Sequence, residues 1–366
     1  IIGPHTSRHI DRGLIAKEVR AVADSGALGV KIMGGHHPSS PEATEAMIEV
    51  ANREDCYVAY HVGTTDSSSN LEGMRELPHI VGSNRLHLAH VNAYMRGMVR
   101  PIYEELAEGL EIIRQLKSVV SESHLAPFNG TSGAVDGDQL LDQVTVNCLR
   151  MAGYVPNRRG LEEALRDGYA AVNVPQDGRM VHLNGETGHR RWRELDGNCG
   201  LSFPVNRRIT AMACALERRA GGEGEAGEFL IDALASDGGA WRNELLSRGL
   251  PLVEFGALSL QELVQKISTN PAKMFGFASK GTLREGSDAD LTIVDVARRN
   301  VVATVVAGET VAREGRVLGE GGNLYTTDRG REALRRAGWI SHMVDLAESS
   351  FYKKSVTTGE PGAGIE

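Results

Sequence analysis

Apolar and polar positions alternate in blocks along the first 125 residues. Leu14, Ile15, Val19, Val22 and Ala23 recur at helical spacing between Gly13 and Ala27, and the pattern stops at Gly26. A short β-prone run, GVKIMGG (Gly29 to Gly35), follows. Ser40 and Pro41 then supply an N-cap and a first-turn proline for a helix over Glu42 to Arg53. Tyr57 to His61 predicts a second strand, and Ser67 to Leu77 a polar loop entering a short helix. Leu86 to His90 predicts a third strand, Pro101 to Leu116 a helix, and Ser118 to His124 a fourth strand. Strand–helix alternation of this kind implies a parallel sheet with helices laid over it.

The alternation breaks between about Pro127 and Glu228, where Gly, Asn and Arg are frequent. Helical pieces are expected at Gln139 to Ala152 and Leu161 to Ala170, and a hairpin within Gly168 to Leu183; the stretch reads as a large insertion. Order returns at EFLIDALASDGG, a strand ending in Asp237. Ser259 and Glu262 then form a capping box for the helix LQELVQKIS. Residues 281–318 hold three β-branched runs separated by turn residues, the pattern of an antiparallel unit. From Thr326 the chain predicts a basic amphipathic helix and then a mobile tail, TTGEPGAGIE. The resulting division is a main α/β domain over residues 1–270 interrupted at 127–228, a small β domain over 271–325, and a helix with tail over 326–366.

Composition narrows the function. A formal charge of −8 over 366 residues argues against nucleic-acid binding, whose footprint is basic. No apolar run approaches the roughly 18 residues of a membrane span. Cys56, Cys148, Cys199 and Cys214 are scattered without a CxxC pair, so free thiols in a reducing cytoplasm are expected. The chain opens at Ile1 on what reads as the middle of a fold.

The chemistry gathers at the ends of the expected strands. Lys31, His61 and His90 are 30 and 29 residues apart, the length of one strand–helix repeat. In a barrel of parallel strands the C-terminal ends converge on one mouth, which Asp237 also reaches. Two neutral imidazoles and a carboxylate suit Zn2+ or a similar divalent ion such as Mn2+. A lysine in that company must be deprotonated, or carbamylated by CO2 so that two oxygens can bridge two metal ions. Asp237 beside metal-bound water is a candidate general base. Taken singly, a strand histidine is commonly a core residue bonded to backbone, and a strand lysine an edge residue; their shared placement is what singles them out. His124 is a candidate substrate or outer contact. His36 and His37 are either outer groups at the mouth or part of a polar loop. Arg190, Arg191 and Arg193, near His182 and His189, form a solvated face or a carboxylate or imide-oxygen contact. Asn173 and Asn206 are candidates to read a ring amide. Gly34–Gly35 and Gly238–Gly239 read as tight turns that bring the backbone close to the site.

GVKIMGG, AYHVG, LHLAHVN and LASDGG, followed by STNPAKMFGF, KGTLREGSDADLTIVD and VVAGETVAREGRV, resemble the amidohydrolase superfamily. The nearest branch is that of dihydroorotases, hydantoinases and N-acyl-D-amino-acid deacylases. The resemblance implies a distorted (β/α)8 TIM-like barrel with a small β-sandwich domain made from both chain ends; three barrel strands and the N-terminal half of the sandwich have no match here and are expected upstream of Ile1 or on another chain. It also implies Lys31 as a carboxylated lysine bridging two divalent metal ions, with His61 and His90 holding the second. Asp237 is implied as metal ligand and proton shuttle. The family's His-x-His pair has no match here: His5 and His9 are wrongly spaced, and His36–His37 follow the lysine directly. An upstream segment or another chain is therefore expected to supply that strand. The implied activity is hydrolysis of a carbon–nitrogen bond, most simply opening of a small cyclic amide or imide by a metal-bridging hydroxide. Deacylation of an N-acyl amino acid, or a catalytically silent scaffold role, are the alternatives. Homo-oligomers are common among barrels of this type and are expected here.

Overall fold

The structure, a computed structural model, describes residues 10–176, 179–222, 227–237, 244–320 and 322–354. His5, His9, the Gly238–Gly239 turn and the TTGEPGAGIE tail lie outside the described residues.

Residues 10–124 fold as the alternation requires. Helix α1 (Arg12–Asp24) precedes strand β1 (Gly29–Met33), α2 (Pro41–Arg53) leads to β2 (Tyr57–His61), and α3 (Leu71–Val81) to β3 (Leu86–Leu88). A 3-10 turn (Val91–Tyr94) and α4 (Ile102–Gln115) then lead to β4 (Val119–His124). The caps are local: Asp11 accepts from Leu14 N–H, Ser40 from Ala43 N–H and Asn70 from Glu72 N–H. On β1, Val30 and Ile32 are buried towards the helices, which leaves Lys31 and Met33 on the opposite face by the period of two.

Beyond β4 the insertion builds its own layer. It contains β5 (Asn129–Ser132), the small pair β6 (Val135–Asp136) and β7 (Gln139–Leu140), α5 (Gln143–Met151) and α6 (Arg158–Arg166). A hairpin follows, β8 (Ala171–Gln176) and β9 (Arg179–Leu183), then α7 (Gly185–Glu194) and β10 (Gly200–Phe203). These strands form a sheet in the order β5-β10-β8-β9 over a separate core that includes Trp192, Leu161, Leu165 and Phe203. Helix α8 (Arg208–Leu216) returns the chain to β4, and its Cys214 joins the main core. All four cysteines are free.

Strand β11 (Ala233–Ala235) completes a parallel sheet of order β1-β2-β3-β4-β11. Met33 lies opposite His61, Ala59 opposite His87, and Ala235 opposite His124. The described residues form an open sheet and do not close a barrel, in keeping with the expectation that three barrel strands have no match in this sequence. Five strands twisting by roughly 20–25° from neighbour to neighbour turn only partway round, and β1 and β11 each pair on one side.

The capping box appears as expected at Ser259 and Glu262, opening α10 (Leu260–Val264), after α9 (Leu245–Glu254). A π turn (Gln265–Thr269) then runs into α11 (Asn270–Phe275), where Pro271 brings no N–H. This segment steadies the start of β11. The buried Lys266 ammonium donates to Ile231 C=O at 2.6 Å, and Asn270 Nδ2 donates to Asp232 C=O at 2.6 Å.

The antiparallel unit is a meander of β12 (Leu291–Asp295), β13 (Asn300–Val306), β14 (Glu309–Arg313) and β15 (Arg316–Val317). It forms a single four-stranded sheet; a complete sandwich is not seen among the described residues, where only the C-terminal part of one was expected. β16 (Leu324–Thr326) and β17 (Ser341–Met343) pair in parallel around α12 (Asp328–Arg336). Phe351 and Phe275 stack on Tyr57, at 4.1 and 5.1 Å between ring centroids, beneath the start of β2.

Asp142 ties the insertion to the strand ends. As the N-cap of α5 it accepts from Val144 N–H at 2.8 Å and from Ser132 N–H at 3.0 Å, and His36 Nδ1 stands 3.5 Å away. Burial pulls its carboxyl up, but His36 and the two backbone donors outweigh that and bring it down to about 2. A folded pKa below the unfolded value contributes stability above about pH 4 that is lost as pH falls through about 2. Asp142→Asn keeps a competent cap while removing the charge. It should lower stability at neutral pH by about 1–2 kcal/mol, with the gap closing between about pH 4 and pH 2, as read by urea unfolding across that range.

Candidate functional site

Lys31 projects from the middle of β1 into the concave side of the sheet. Burial pulls its ammonium below the ordinary range, while Glu122 and Asp237 pull it back up. His61 ends β2 directly across from Met33. Its Nε2 meets Ser69 Oγ at 2.8 Å and its Nδ1 meets His90 Nε2 at 2.6 Å. Desolvation, reinforced by His90, Lys31 and His36, holds the His61 imidazole well below its ordinary range and therefore neutral.

His90 lies two residues past the end of β3 with φ at +34°, and Asp237 two residues past β11 with φ at +55°. A left-handed conformation costs a non-glycine residue about 1–3 kcal/mol and persists where the surroundings over-determine it. Here the surroundings are polar contacts. His90 N–H donates to Glu122 Oε1 at 2.7 Å, and His90 Nδ1 stands 3.4 Å from Asp237 Oδ1 and 3.5 Å from Glu122 Oε1. Asp237 Oδ2 is 3.6 Å from Nε2 of the fully buried His124, whose N–H donates to Asn92 Oδ1 at 2.9 Å. Five strands thus bring Lys31, His61, His90, His124 and Asp237 to one side of the sheet.

Other sequence candidates stay apart from that rim. Arg190 is 70% exposed on α7 and faces Glu194 at 3.9 Å, because the charged side of that helix points away from the insertion core. Asn173 accepts from Ser202 Oγ at 2.8 Å inside the insertion sheet, across from His182. His182 packs edge-on against Phe128 at 5.1 Å, and His189 is buried beside Trp192 and Arg166. Asn206 is a staple: it accepts from Arg96 Nη2 at 2.7 Å and donates to Ala126 C=O at 3.1 Å. His36 does reach the rim, edge-on to His61 at 5.9 Å.

Glu122 and Ser69 are the contacts that sequence reasoning missed. The signal for Glu122 was present: in Ser121-Glu122-Ser123-His124 the alternation places Glu122 and His124 on one face of β4.

The donor set suits a divalent ion in its chemistry: imidazoles, carboxylates and a desolvated lysine. A buried Glu122 Oε2 has no hydrogen-bond partner among the described residues. Among the described residues no three His, Cys, Asp or Glu side chains stand in ligand geometry, since His61 and His90 turn one nitrogen each towards the other.

Fold and site together define an α/β protein with titratable groups at the carboxyl ends of a parallel sheet. Residues 217–311 match the amidohydrolase family. The chain is 44% identical over 68 residues to a dihydroorotase of Syntrophus aciditrophicus, covering 19% of this chain and 16% of that protein. It is 33% identical over 154 residues to an L-hydantoinase of Paenarthrobacter aurescens, covering 29% and 34%. A D-aminoacylase structure, described for its binuclear metal center, superposes with a TM-score of 0.55 at 13–14% identity, covering 86% of this chain and 66% of the other. Over these segments the sequence is similar to the amidohydrolase family and to its dihydroorotase and hydantoinase members. The aligned segments span only a minor part of those two relatives' length. No helix among the described residues is long and apolar enough to cross a membrane.

Gly34 and Gly35 let β1 and β2 close over the site. A Cβ on Gly35 would lie 2.2 Å from His61 Nε2, and one on Gly34 2.1 Å from Gly63 C=O. Gly35→Ala should therefore displace the His61 ring from Ser69 while leaving the sheet folded. The expected result is a crystal structure with a rotated His61 and a divalent-ion affinity lowered about 10-fold or more, measured by chelator competition.

Proposed function

We propose that the protein hydrolyses a carbon–nitrogen amide bond in a small molecule, a cyclic amide or imide being the best fit, with divalent metal ions held by Lys31, His61, His90 and Asp237. The observation that carries this is the meeting of His61, His90 and Asp237 at 2.6 and 3.4 Å, beside a buried lysine, from strands far apart in sequence. The kinship with dihydroorotase and hydantoinase supports the bond type and the ring.

A divalent ion bound there would polarise the amide carbonyl and sharpen a water molecule as nucleophile. The chain's own residues do the rest. Ser69 orients the neutral His61 ring, and Lys31, in its amine form, is competent to take up CO2 as a carboxylated bridging ligand. Asp237 has one oxygen towards His90 and the other towards His124, so it can hold a proton between water and leaving nitrogen. His124 steadies that carboxylate and borders the space where the leaving nitrogen would lie.

The fold likeness to D-aminoacylase favours a second substrate class, N-acyl amino acids. Purified wild-type protein should carry close to two equivalents of zinc or manganese per complete protomer, as in two-metal hydrolytic sites. It should turn over a hydantoin, dihydroorotate or an N-acyl amino acid. Lys31→Ala should lose both metal and turnover, read by elemental analysis and product chromatography. Preserved turnover in that variant would remove Lys31 from the assignment, and a metal-free, inactive wild type would favour a scaffold.

A further inference from the structure

We propose that Glu122 is the positioning residue of this centre: its carboxylate grips the His90 backbone and faces the His90 ring, so that the imidazole meets a bound cation in one orientation. The inference rests on the metal-centre reading above and deepens it.

His90 needs an anchor. It leaves β3 in a left-handed conformation and opens a 3-10 turn with no side-chain cap of its own. The amide at that bend is taken by Glu122 Oε1 at 2.7 Å, from the neighbouring strand and 32 residues away. The same oxygen stands 3.5 Å from Nδ1, so one carboxylate addresses the backbone and the ring of one residue. Two contacts to one residue remove both its translation along the rim and its ring rotation.

Glu122 is also poorly explained as a structural group. Its side chain is only 11% exposed, and Oε2 is buried without a hydrogen-bond partner among the described residues. A buried carboxylate is unfavourable unless cations compensate it, and a neutral glutamine could serve the backbone contact equally well. What the charge adds is a negative partner for a cationic centre, the carboxylate–histidine–metal arrangement in which the outer carboxylate fixes the ring and raises its basicity as a ligand. Its place on β4, two residues before His124, lets a single strand set both His90 and the group that faces Asp237.

The test uses the full chain, stripped of metal and reloaded with zinc, as wild type, Glu122→Gln and Glu122→Ala. Glu122→Gln should unfold at the wild-type denaturant midpoint and keep the His90 amide protected from hydrogen exchange. Its zinc affinity should fall about 10–100-fold, and kcat should fall with KM unchanged. Glu122→Ala should in addition lose protection of that amide. Wild-type zinc affinity in Glu122→Gln, or an unchanged His90 amide in Glu122→Ala, would overturn the proposal. Should the wild type bind no zinc, the metal reading falls by itself. Glu122's hold on His90 is then decided by the amide exchange in the metal-free protein.

Discussion

The contact between the imidazoles of His61 and His90 organises the strand ends of this protein. Two ring nitrogens 2.6 Å apart can share only one proton, so at least one ring is neutral where they meet. The carboxylates of Glu122 and Asp237 gather on the far side of His90. A neutral ring is also competent as a metal ligand. Each group is tolerable in a desolvated place only because of its neighbours, so removing one changes the charge state of the rest.

Holding that contact requires the backbone to be bent twice. His90 and Asp237 both lie just beyond a strand end in the left-handed region, and each is over-determined by polar partners on adjacent strands. The strands are fixed in turn from below and from the side. Lys266 and Asn270 catch the carbonyls that precede β11, so the stretch that runs into STNPAKMFGF holds the start of the strand after which Asp237 lies. Asp142 and Asn206 bind the insertion to the loops after β1 and β3 through His36 and Arg96. The insertion is thereby docked on the same rim that carries the titratable groups.

Much of this was legible from residue order. The strand–helix alternation, the Ser40 and Ser259 caps, the hairpin at Gly168 to Leu183 and the antiparallel meander all rest on local signals, and they appear where those signals lie. Lys31, His61, His90 and Asp237 were visible because each ends or interrupts a β-prone run at repeat spacing. The resemblance implied a barrel and a sandwich each lacking strands in this sequence; the described strands form an open five-stranded sheet and a single meander.

Sequence alone determined the elements, the side of each strand that faces the helices, and the identity of the groups at the strand ends. Those follow from periodicity and capping, which act over a few residues. Tertiary structure alone decided which polar groups touch. It joined Glu122 to His90 across 32 residues, turned Arg190 out to solvent, and gave Asn173 and Asn206 structural duties in place of a ring amide. Such pairings depend on register and loop path between distant segments, and desolvation depends on everything packed around them. Neither is encoded in any short stretch of the chain.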